Sequence, residues 1–283
     1  MKKFLTALEA LKFLKNDLKQ VLSDEEAERE SVLILSELLN CKPTEVFLNR
    51  EKRIEVLKLK RVLKRRLRHE PLEYIFERAY FWGRSFFVRK GVLIPRQETE
   101  LIVEVFGKIF SERVERILDL GTGSGILAIT LALEFPGLKV FAIDISRDAL
   151  SVAKFNAKLH GVLNDVNFLL GDWTTPFKER SFDVIVSNPP YVSAEEWQNL
   201  PAEVRLWEPK LALVAEKRGL SFHEKLIKSA SRLLKKGGFL IFEIGYNQRK
   251  EVEALLKSCG MSFEFFKDLL GYYRVVVAWG KST

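Results

Sequence analysis

The positions of apolar residues divide the chain into two parts with different periods. Through about residue 70, apolar side chains recur every three or four residues, as in Leu11, Leu14 and Leu18, which predicts amphipathic helices. From about residue 115 onward, short continuous apolar runs alternate with helical patterns. This alternation predicts a mostly parallel sheet with helices on both faces. We therefore expect an α/β domain preceded by a small helical domain.

The helical part carries its own start signals. Ser23 with Glu26 forms a capping box at the start of a second helix, Thr44 is placed to cap a short third one, and residues 51–68 predict a longer fourth helix. One face of that helix is expected to be buried and the other is basic, with Lys58, Lys60, Arg61, Lys64, Arg65, Arg66 and Arg68. Such a face can attract nucleic acid or an acidic protein surface, but a charged helix face is more often only solvated.

A connector separates the two parts. Aromatic residues alternate with polar ones around Tyr80, Phe81 and Phe86, which predicts a β-hairpin. We expect a helical domain at residues 1–72, the connector at 73–96 and the α/β domain at 97–283.

A glycine-rich turn follows the first apolar run of the α/β domain. The run Ile117–Leu120 leads into Gly121-Thr122-Gly123-Ser124-Gly125 and then into a helical pattern. Glycines let a backbone approach a ligand closely. The spacing differs from the G-x-G-x-x-G of dinucleotide-binding proteins, because Ile126 follows the third glycine, and no P-loop lysine is present. Nicotinamide enzymes and NTPases are therefore disfavoured.

Acidic residues end the next two predicted strands. Asp144 lies about twenty residues beyond the glycines, where a carboxylate can accept hydrogen bonds from both hydroxyls of a ribose. Asp172 can accept from the exocyclic amine of an adenine, and Trp173 can cover its ring. Each acid alone is more often a helix cap or a solvated loop residue. Their order at successive strand ends favours a nucleoside site.

The sequence Asn188-Pro189-Pro190-Tyr191 follows the apolar run 182–187. Prolines supply no N–H, so the turn is stiff and leaves carbonyl oxygens without local donors. The Asn188 side-chain oxygen and the Pro189 carbonyl then offer two acceptors, which suit a planar NH2 group, and Tyr191 offers a ring to stack on it. Asn-Pro is also ordinary turn punctuation, so this motif alone leaves both interpretations open.

Composition fits a soluble enzyme. The 283 residues include 47% hydrophobic residues without a long uncharged run, and the first residues lead into a charged helix instead of a secretory signal. We expect a cytoplasmic protein that does not bind membranes. We expect Cys41 and Cys259 to be free thiols. None of the three histidines has a cysteine or acidic neighbour at the spacing typical of metal ligands, so we expect no bound metal. The net charge of +8 does not decide whether the basic helix face binds a partner or is only solvated, and nucleic acid is a possible but not an expected partner.

With these motifs the chain resembles the class I S-adenosylmethionine-dependent methyltransferases, and within them the release factor glutamine methyltransferase family (HemK/PrmC). Residues 94–100, Ile-Pro-Arg-Gln-Glu-Thr-Glu, resemble a block of that family. Further similar blocks are found at 71–75, 81–83, 208–213, 237–248 and 268–274. Two residues depart from the family pattern: Gln97 replaces a proline, and Glu77 stands where a glycine is usual.

The resemblance implies a Rossmann-like sheet of seven strands with the last one antiparallel, and a helical domain that helps to dock the substrate. It implies transfer of a methyl group from S-adenosylmethionine, giving S-adenosylhomocysteine, to the glutamine side-chain amide of the Gly-Gly-Gln motif in peptide chain release factors. The residues expected to hold the cofactor are Gly121, Thr122, Gly123, Ser124, Gly125, Asp144, Asp172, Trp173 and Asn188. Those expected to bind the acceptor and support catalysis are Asn188, Pro189, Pro190 and Tyr191.

Two alternatives remain at this point. The same four-residue turn suits the exocyclic amine of adenine in DNA or of guanine in rRNA. A DNA enzyme of this kind normally needs a sizeable recognition region, for which seventy helical residues are a poor candidate. The second alternative is a noncatalytic adaptor that binds the ribosome or RNA, and the retention of both motifs argues against it.

Overall fold

The computed structural model describes residues 2–111, 113–173 and 175–280. The chain forms two compact units, one comprising Met1–Arg78 and Pro201–Trp207, the other Ala79–Leu200 and Glu208–Thr283. The predicted domain limits at residues 1 and 283 lie outside the described residues. The predicted boundaries at 72 and 96 stay predictions, and no sequence pattern pointed to the membership of 201–207 in the first unit.

The described helices are, in chain order, α1 (Ala7–Leu18), α2 (Asp24–Leu39), α3 (Val56–Arg66), α4 (Leu72–Ile75), α5 (Glu100–Ile109), α6 (Ile126–Glu134), α7 (Arg147–Leu159), α8 (Ala194–Asn199), α9 (Ala202–Trp207), α10 (Glu216–Gly219), α11 (Ser221–Leu233) and α12 (Arg249–Ser258). Short 3₁₀ helices lie at Pro43–Glu45, Gln97–Thr99 and Lys210–Ala212. The strands are β1 (Phe4–Thr6), β2 (Arg53–Glu55), β3 (Arg78–Phe81), β4 (Arg84–Phe87), β5 (Arg116–Leu120), β6 (Lys139–Asp144), β7 (Val166–Leu170), β8 (Phe182–Ser187), β9 (Leu234–Glu243), β10 (Met261–Lys267) and β11 (Tyr273–Gly280). Among the described helices, none is both long and apolar enough to cross a membrane.

The helical unit is built on the predicted amphipathic faces. Leu14 and Leu18 of α1 are buried against Leu35 of α2 and Leu59 of α3. The predicted capping box at Ser23 is present, with the Ser23 hydroxyl accepting from the Glu26 N–H. Two expectations were wrong in detail. Thr44 lies inside the 3₁₀ helix instead of capping it, and the helix predicted over residues 51–68 spans only Val56–Arg66. Residues Arg53–Glu55 form β2, which pairs with β1 in a small antiparallel sheet that the helical periodicity did not reveal.

The basic face of α3 also needs one correction. Arg66 is 1% exposed, so it belongs to the buried side of the helix. Its guanidinium donates to both carboxylate oxygens of Glu30 at 2.6 and 2.8 Å, and to Glu203 of α9 at 2.7 Å. All three residues belong to the helical unit. The charge of Arg66 was visible in the sequence, but its two carboxylate partners lie 36 and 137 residues away.

The second unit contains a seven-stranded sheet in the order β10-β11-β9-β8-β5-β6-β7. The pairs β9-β8, β8-β5, β5-β6 and β6-β7 are parallel, and β11 is antiparallel to both of its neighbours. This topology confirms the expectation of seven strands with the last one antiparallel. One face packs against α5, α6 and α7 and the other against α11 and α12, so the sheet is covered on both sides.

The connectivity of the sheet determines where a ligand can bind. From β5 the chain adds β6 and β7 on one side and then crosses to place β8 on the other side of β5. Open α/β sheets bind ligands in the crevice at the carboxyl ends of the strands where this reversal occurs. The glycine-rich turn follows β5 and the Asn188-Tyr191 turn follows β8, so both lie at that crevice.

The connector region contains the hairpin β3-β4, as its alternating pattern predicted. The tight turn at Trp82 and Gly83 has φ values of 50° and 68°. Phe81 and Phe86 lie in the core of the second unit. Glu77, which departs from the family pattern, has φ 53°, a left-handed conformation that favours glycine.

Candidate active site

A cavity of about 330 Å³ opens at the carboxyl ends of β5, β6 and β8. Of the residues predicted as cofactor or acceptor ligands, Gly121, Gly123, Asp144, Asp172, Trp173, Asn188 and Pro190 line it. Residues from other parts of the second unit complete the wall, among them Val92, Ile145, Leu211, Phe222 and Lys225. The structure therefore brings three separate sequence motifs to one site.

The glycine-rich turn forms one wall of the cavity. The Gly121 and Thr122 N–H groups both donate to the Ile143 carbonyl, which ties the turn to β6. Gly123 donates its N–H to the Asp144 carboxylate at 2.8 Å. Gly121 has φ 73° and its α-carbon faces open space, so the backbone is free to approach a ligand there.

The other members of this turn are not among the residues that line the cavity. Thr122 donates its hydroxyl to Asp119 at 2.6 Å, and the Ser124 carbonyl accepts from Asn156 at 2.9 Å. A side chain at Gly125 would meet Ile129 at 2.9 Å and Ala153 at 3.0 Å. Close packing of α6 against α7 thus accounts for the third glycine, and the roles of these three residues as cofactor ligands stay predictions.

Two acids lie beside the turn at different depths. Asp144 accepts from the N–H groups of Gly123 and Ser146, and burial raises its pKa above the ordinary value. Asp119 is fully buried below the turn, where burial raises its pKa to about 7 even though the Thr122 hydroxyl and the Ala128 N–H donate to it. Asp144 therefore faces the cavity, while Asp119 supports the turn from beneath.

Asp172 and Trp173 also line the cavity. The Asp172 carboxylate is largely exposed and pairs with Lys225 of α11 at 3.1 Å. Trp173 packs against Phe222 with ring centroids 5.5 Å apart, and its indole Nε1 is buried without a hydrogen-bond partner among the described residues. The sequence analysis did not predict Phe222 and Lys225 as site residues, because both lie on a helix about fifty residues after the motif that they contact.

The Asn188-Tyr191 turn is held at several points. The Asn188 amide donates from Nδ2 to the Thr99 hydroxyl at 2.9 Å, and the Tyr191 hydroxyl donates to Glu243 at 2.9 Å. Gln248 donates from Nε2 to the Tyr191 carbonyl at 2.9 Å. Tyr191 is not among the cavity-lining residues, and neither is Pro189, so their contacts with an acceptor stay predictions.

The cavity fits the adenosyl cofactor that the motifs suggest. Its volume lies within the range of small-molecule sites, about 300–1,000 Å³. A glycine turn, a carboxylate at Asp144 and an aromatic wall at Trp173 surround it, and the unpartnered indole N–H offers a donor. A seven-stranded sheet with one antiparallel strand and this cavity defines a class I S-adenosylmethionine-dependent methyltransferase.

Comparison with known proteins supports that class and narrows it. Residues 111–265 match the model of a methyltransferase domain, and residues 9–76 match that of the PrmC N-terminal domain. The release factor glutamine methyltransferase of Aquifex aeolicus is 37% identical over 273 residues, 94% of this chain and 97% of its own length. That of Bacillus anthracis is 37% identical over 95% of this chain and 98% of its own length. The chain belongs to the release factor glutamine methyltransferase family.

Solved structures share the fold. A methyltransferase from Pyrococcus furiosus aligns with a TM-score of 0.53 and 20% identity, covering 80% of this chain and 99% of its own. The ribosomal protein L11 methylase from Lactobacillus delbrueckii subsp. bulgaricus aligns with a TM-score of 0.50 and 24% identity, covering 66% of this chain and 81% of its own. At these identities the likeness establishes the architecture and nothing finer.

Proposed function

We propose that this protein methylates the side-chain amide nitrogen of the glutamine in the Gly-Gly-Gln motif of peptide chain release factors. The observation that carries the proposal is the placement of the Asn188 amide and Pro190 on the wall of the cavity shared with Gly121, Gly123 and Asp144. The names of the family members supply the substrate class. Because release factors act at ribosomes, we propose that the protein works in the cytoplasm.

Gly121, Gly123, Asp144 and Trp173 would hold S-adenosylmethionine, with Asp172 at the margin beside Lys225. When bound, this cofactor supplies an electrophilic methyl group on a sulfonium sulfur. The chain must then supply an oriented nucleophile, since a methyl transfer in line with the leaving sulfur depends on position.

A primary amide nitrogen is a weak nucleophile because its lone pair is delocalised into the carbonyl. We assign the orientation of this nitrogen to Asn188 and Pro189. One amide N–H of the substrate donates to the Asn188 side-chain oxygen and the other to the Pro189 carbonyl, which directs the lone pair toward the cofactor side of the cavity. These acceptors also stabilise the positive charge that develops on nitrogen. The proton leaves to solvent after transfer, when the nitrogen has become acidic.

We extend the proposal to the helical unit as a docking element for the release factor. Its support is the match of residues 9–76 to the PrmC N-terminal domain and a shallow groove within this unit. Its apolar lining residues are Phe13, Leu63 and Leu67. Three lining residues, Lys60, Lys64 and Arg68, are basic and one, Asp17, is acidic, so the groove carries net positive charge. Such a groove suits a protein surface that combines apolar and acidic side chains.

The proposed function is tested by incubating the protein with S-adenosylmethionine labelled in the methyl group. The acceptors are a purified release factor, the same factor with its Gly-Gly-Gln glutamine replaced by alanine, duplex DNA and rRNA. We expect label on the intact factor alone. Label on DNA or rRNA instead would assign the site to an exocyclic base amine, and label on both forms of the factor would place the methyl group elsewhere.

A further inference from the structure

A fully buried carboxylate is hydrogen-bonded to the acceptor turn and is not among the residues that line the cavity. Glu243 ends β9 and is 0% exposed. Its two oxygens accept hydrogen bonds from two hydroxyls, Oε2 from Thr99 at 2.6 Å and Oε1 from Tyr191 at 2.9 Å. Thr99 in turn accepts from the Asn188 amide at 2.9 Å. One carboxylate is thus bonded directly to one end of the turn and through Thr99 to the other.

The burial of this carboxylate is costly unless hydrogen bonds compensate it. Burial raises the pKa of Glu243, while the bonds from Thr99 and Tyr191 act in the opposite direction and favour the ionised form. Arg274, whose charge also favours ionisation, pairs with Asp268 at 3.0 Å. A leucine or methionine would fill the same space without this cost, so packing alone does not account for a carboxylate at this position.

With Glu243 ionised, the hydrogens available on Glu243, Thr99 and Asn188 fix the direction of each hydrogen bond between them. A threonine hydroxyl has one hydrogen to donate and lone pairs with which to accept. An ionised carboxylate can only accept, so the Thr99 hydrogen must point to Glu243. Thr99 is then an acceptor toward Asn188, and the only donor on the Asn188 side chain is its NH2 group. The side-chain oxygen of Asn188 is therefore left for a ligand.

This direction matters because the two ends of an asparagine amide have similar shape and opposite hydrogen-bonding character. If the Asn188 amide turned over, its NH2 group would replace the oxygen and would repel a substrate NH2 group. Without the carboxylate, the Thr99 hydrogen is free to donate to the Asn188 oxygen, and both orientations become possible. The carboxylate lies 144 residues from Thr99 in sequence, yet it selects the productive orientation.

We infer that Glu243, acting through Thr99, is a positioning residue that holds the Asn188 side-chain oxygen toward the substrate amide and so selects an NH2 group as the methyl acceptor. The inference rests on the proposed function, and it adds two residues to the site for which the acceptor motif gave no signal. Neither residue is among those that line the cavity, so both act through the turn.

Two substitutions of Thr99 separate positioning from packing. Thr99→Val keeps the shape of this fully buried side chain and removes the hydroxyl, whereas Thr99→Ser keeps the hydroxyl and removes a methyl group. If Thr99 served only to fill space, the valine variant would be the better tolerated one. If it orients Asn188, the serine variant retains activity and the valine variant loses it.

We expect kcat for release factor methylation to fall on the order of a hundredfold in Thr99→Val and by less than about threefold in Thr99→Ser. Glu243→Gln should lower kcat by less than Thr99→Val does, because its side-chain amide can turn either its oxygen or its NH2 group toward Thr99, and only the second arrangement reverses the bonds to Asn188. The dissociation constant for S-adenosylmethionine and the KM for the release factor should change little, because the effect is confined to the orientation of the reacting nitrogen.

Thr130→Val is the matched control. Thr130 is also 0% exposed, lies in α6 of the same unit, and its hydroxyl makes no hydrogen bond to any described residue. Unchanged kcat in Thr130→Val together with the loss in Thr99→Val supports the inference. Normal kcat in Thr99→Val, or equal losses in the valine and serine variants, would overturn it while leaving the proposed function intact. If the unmodified enzyme labels no release factor, the proposed function fails and the inference fails with it.

Discussion

Asn188 uses the two ends of its side-chain amide for different purposes. Its NH2 group donates to Thr99, and the residue lines the cavity. Its oxygen is the end that we assign to the substrate amide. At the scale of single residues this division of roles predicts a specific kinetic defect. Asn188→Ala should lower kcat by about a hundredfold, because an acceptor for the reacting amide is lost.

The affinity of this variant for S-adenosylmethionine, measured by calorimetry, should remain within a few-fold of the unmodified value, since Gly121 and Asp144 are untouched. Asn199→Ala, an exposed asparagine on α8, serves as the control and should not alter either quantity. Near-normal turnover of Asn188→Ala would remove Asn188 from the catalytic assignment.

Gly219 supports the same turn through a close backbone approach. A β-carbon at this position would lie 2.1 Å from the Tyr191 carbonyl and 2.6 Å from the Gln248 amide. Gly219→Ala should therefore displace the turn and lower kcat by tenfold or more, on the order expected for a misplacement of about 1 Å. Gly271→Ala is the matched comparison, because Gly271 has φ 86° against 85° for Gly219 but faces open space.

Both variants place an alanine in the left-handed backbone conformation, which costs about 1–2 kcal/mol. Thermal unfolding followed by circular dichroism should therefore show a similar loss of stability from backbone strain in the two variants. Only Gly219→Ala should lose methyl transfer. If both variants lost activity equally, backbone strain and not the contact with Tyr191 would be responsible.

Asp119 makes a pH-dependent contribution to stability. Burial raises its pKa to about 7 in the folded protein, against an ordinary value of 3.8. The folded state then binds a proton that the unfolded state has lost, so the stabilising contribution is complete below about pH 4 and decreases as pH rises toward 7. The asparagine of Asp119→Asn has no titrating group. The free energy of unfolding of this variant, relative to that of the unmodified protein, should therefore increase from about pH 4 to about pH 7 and become constant at higher pH.

Urea unfolding at intervals between pH 4 and pH 8 measures this difference directly. The slope should approach, at most, about 1.4 kcal/mol per pH unit. Ser187→Ala provides the control, because it removes a buried hydroxyl bonded to the Leu120 carbonyl without removing a titrating group. A difference for Asp119→Asn that does not vary with pH would show that the carboxyl group has an ordinary pKa.

At the scale of elements, α3 illustrates what a helical pattern can and cannot predict. One face of this helix was expected to be buried, and its apolar residues Leu59 and Leu63 do lie in the core. It assigned Arg66 to the exposed basic face, whereas Arg66 is buried and paired with Glu30 and Glu203. A helical period assigns apolar residues to the buried face and charged residues to the exposed face. It therefore cannot predict a buried arginine whose carboxylate partners come from two other helices.

Breaking this buried ion pair should destabilise the helical unit. Arg66→Ala leaves Glu30, whose side chain is 13% exposed, without its partner, and we expect a loss of about 3 kcal/mol or more in the free energy of unfolding. Arg61→Ala, an exposed arginine on the same helix, should change it by less than about 0.5 kcal/mol. Denaturant titration followed by helical circular dichroism measures both, and equal effects would mean that Arg66 is not held by its partners.

For the whole molecule, the alternation of apolar runs and helical patterns was enough to predict the fold. The strands of a parallel sheet are covered by helices on both faces, so each strand appears in the sequence as a continuous apolar run between two helical patterns. Much of the cavity followed as well, since Gly121, Asp144 and Asn188 stand at strand ends that the topology brings together. Glu243, Gln248 and Phe222 could not be predicted as site residues. Their contacts join segments that are distant in the chain. Glu243 and Gln248 lie in the block 237–248 that resembles the family, but nothing in that block indicates which other segment each residue contacts.

The proposed docking role of the helical unit can be tested in the full-length protein. Lys64 lies on the exposed basic side of α3 and lines the groove with Phe13 and Leu63. Lys64→Glu should raise KM for the release factor by about fivefold through charge repulsion, while kcat stays within about twofold. Lys250 is an exposed lysine on α12. Lys250→Glu makes the same change in net charge as Lys64→Glu and should leave KM for the release factor unchanged. Equal KM values in the two variants would argue against docking through this groove.

The position of the transferred methyl group decides whether this protein methylates the glutamine side chain of release factors. After reaction of the protein with S-adenosylmethionine and a purified release factor, tandem mass spectrometry of the peptide containing the Gly-Gly-Gln motif can locate the added mass. We predict one methyl group on the side-chain nitrogen of that glutamine, present with the unmodified enzyme and greatly reduced with Asn188→Ala. An unmodified glutamine, or a methyl group on another residue of the factor, would contradict the account.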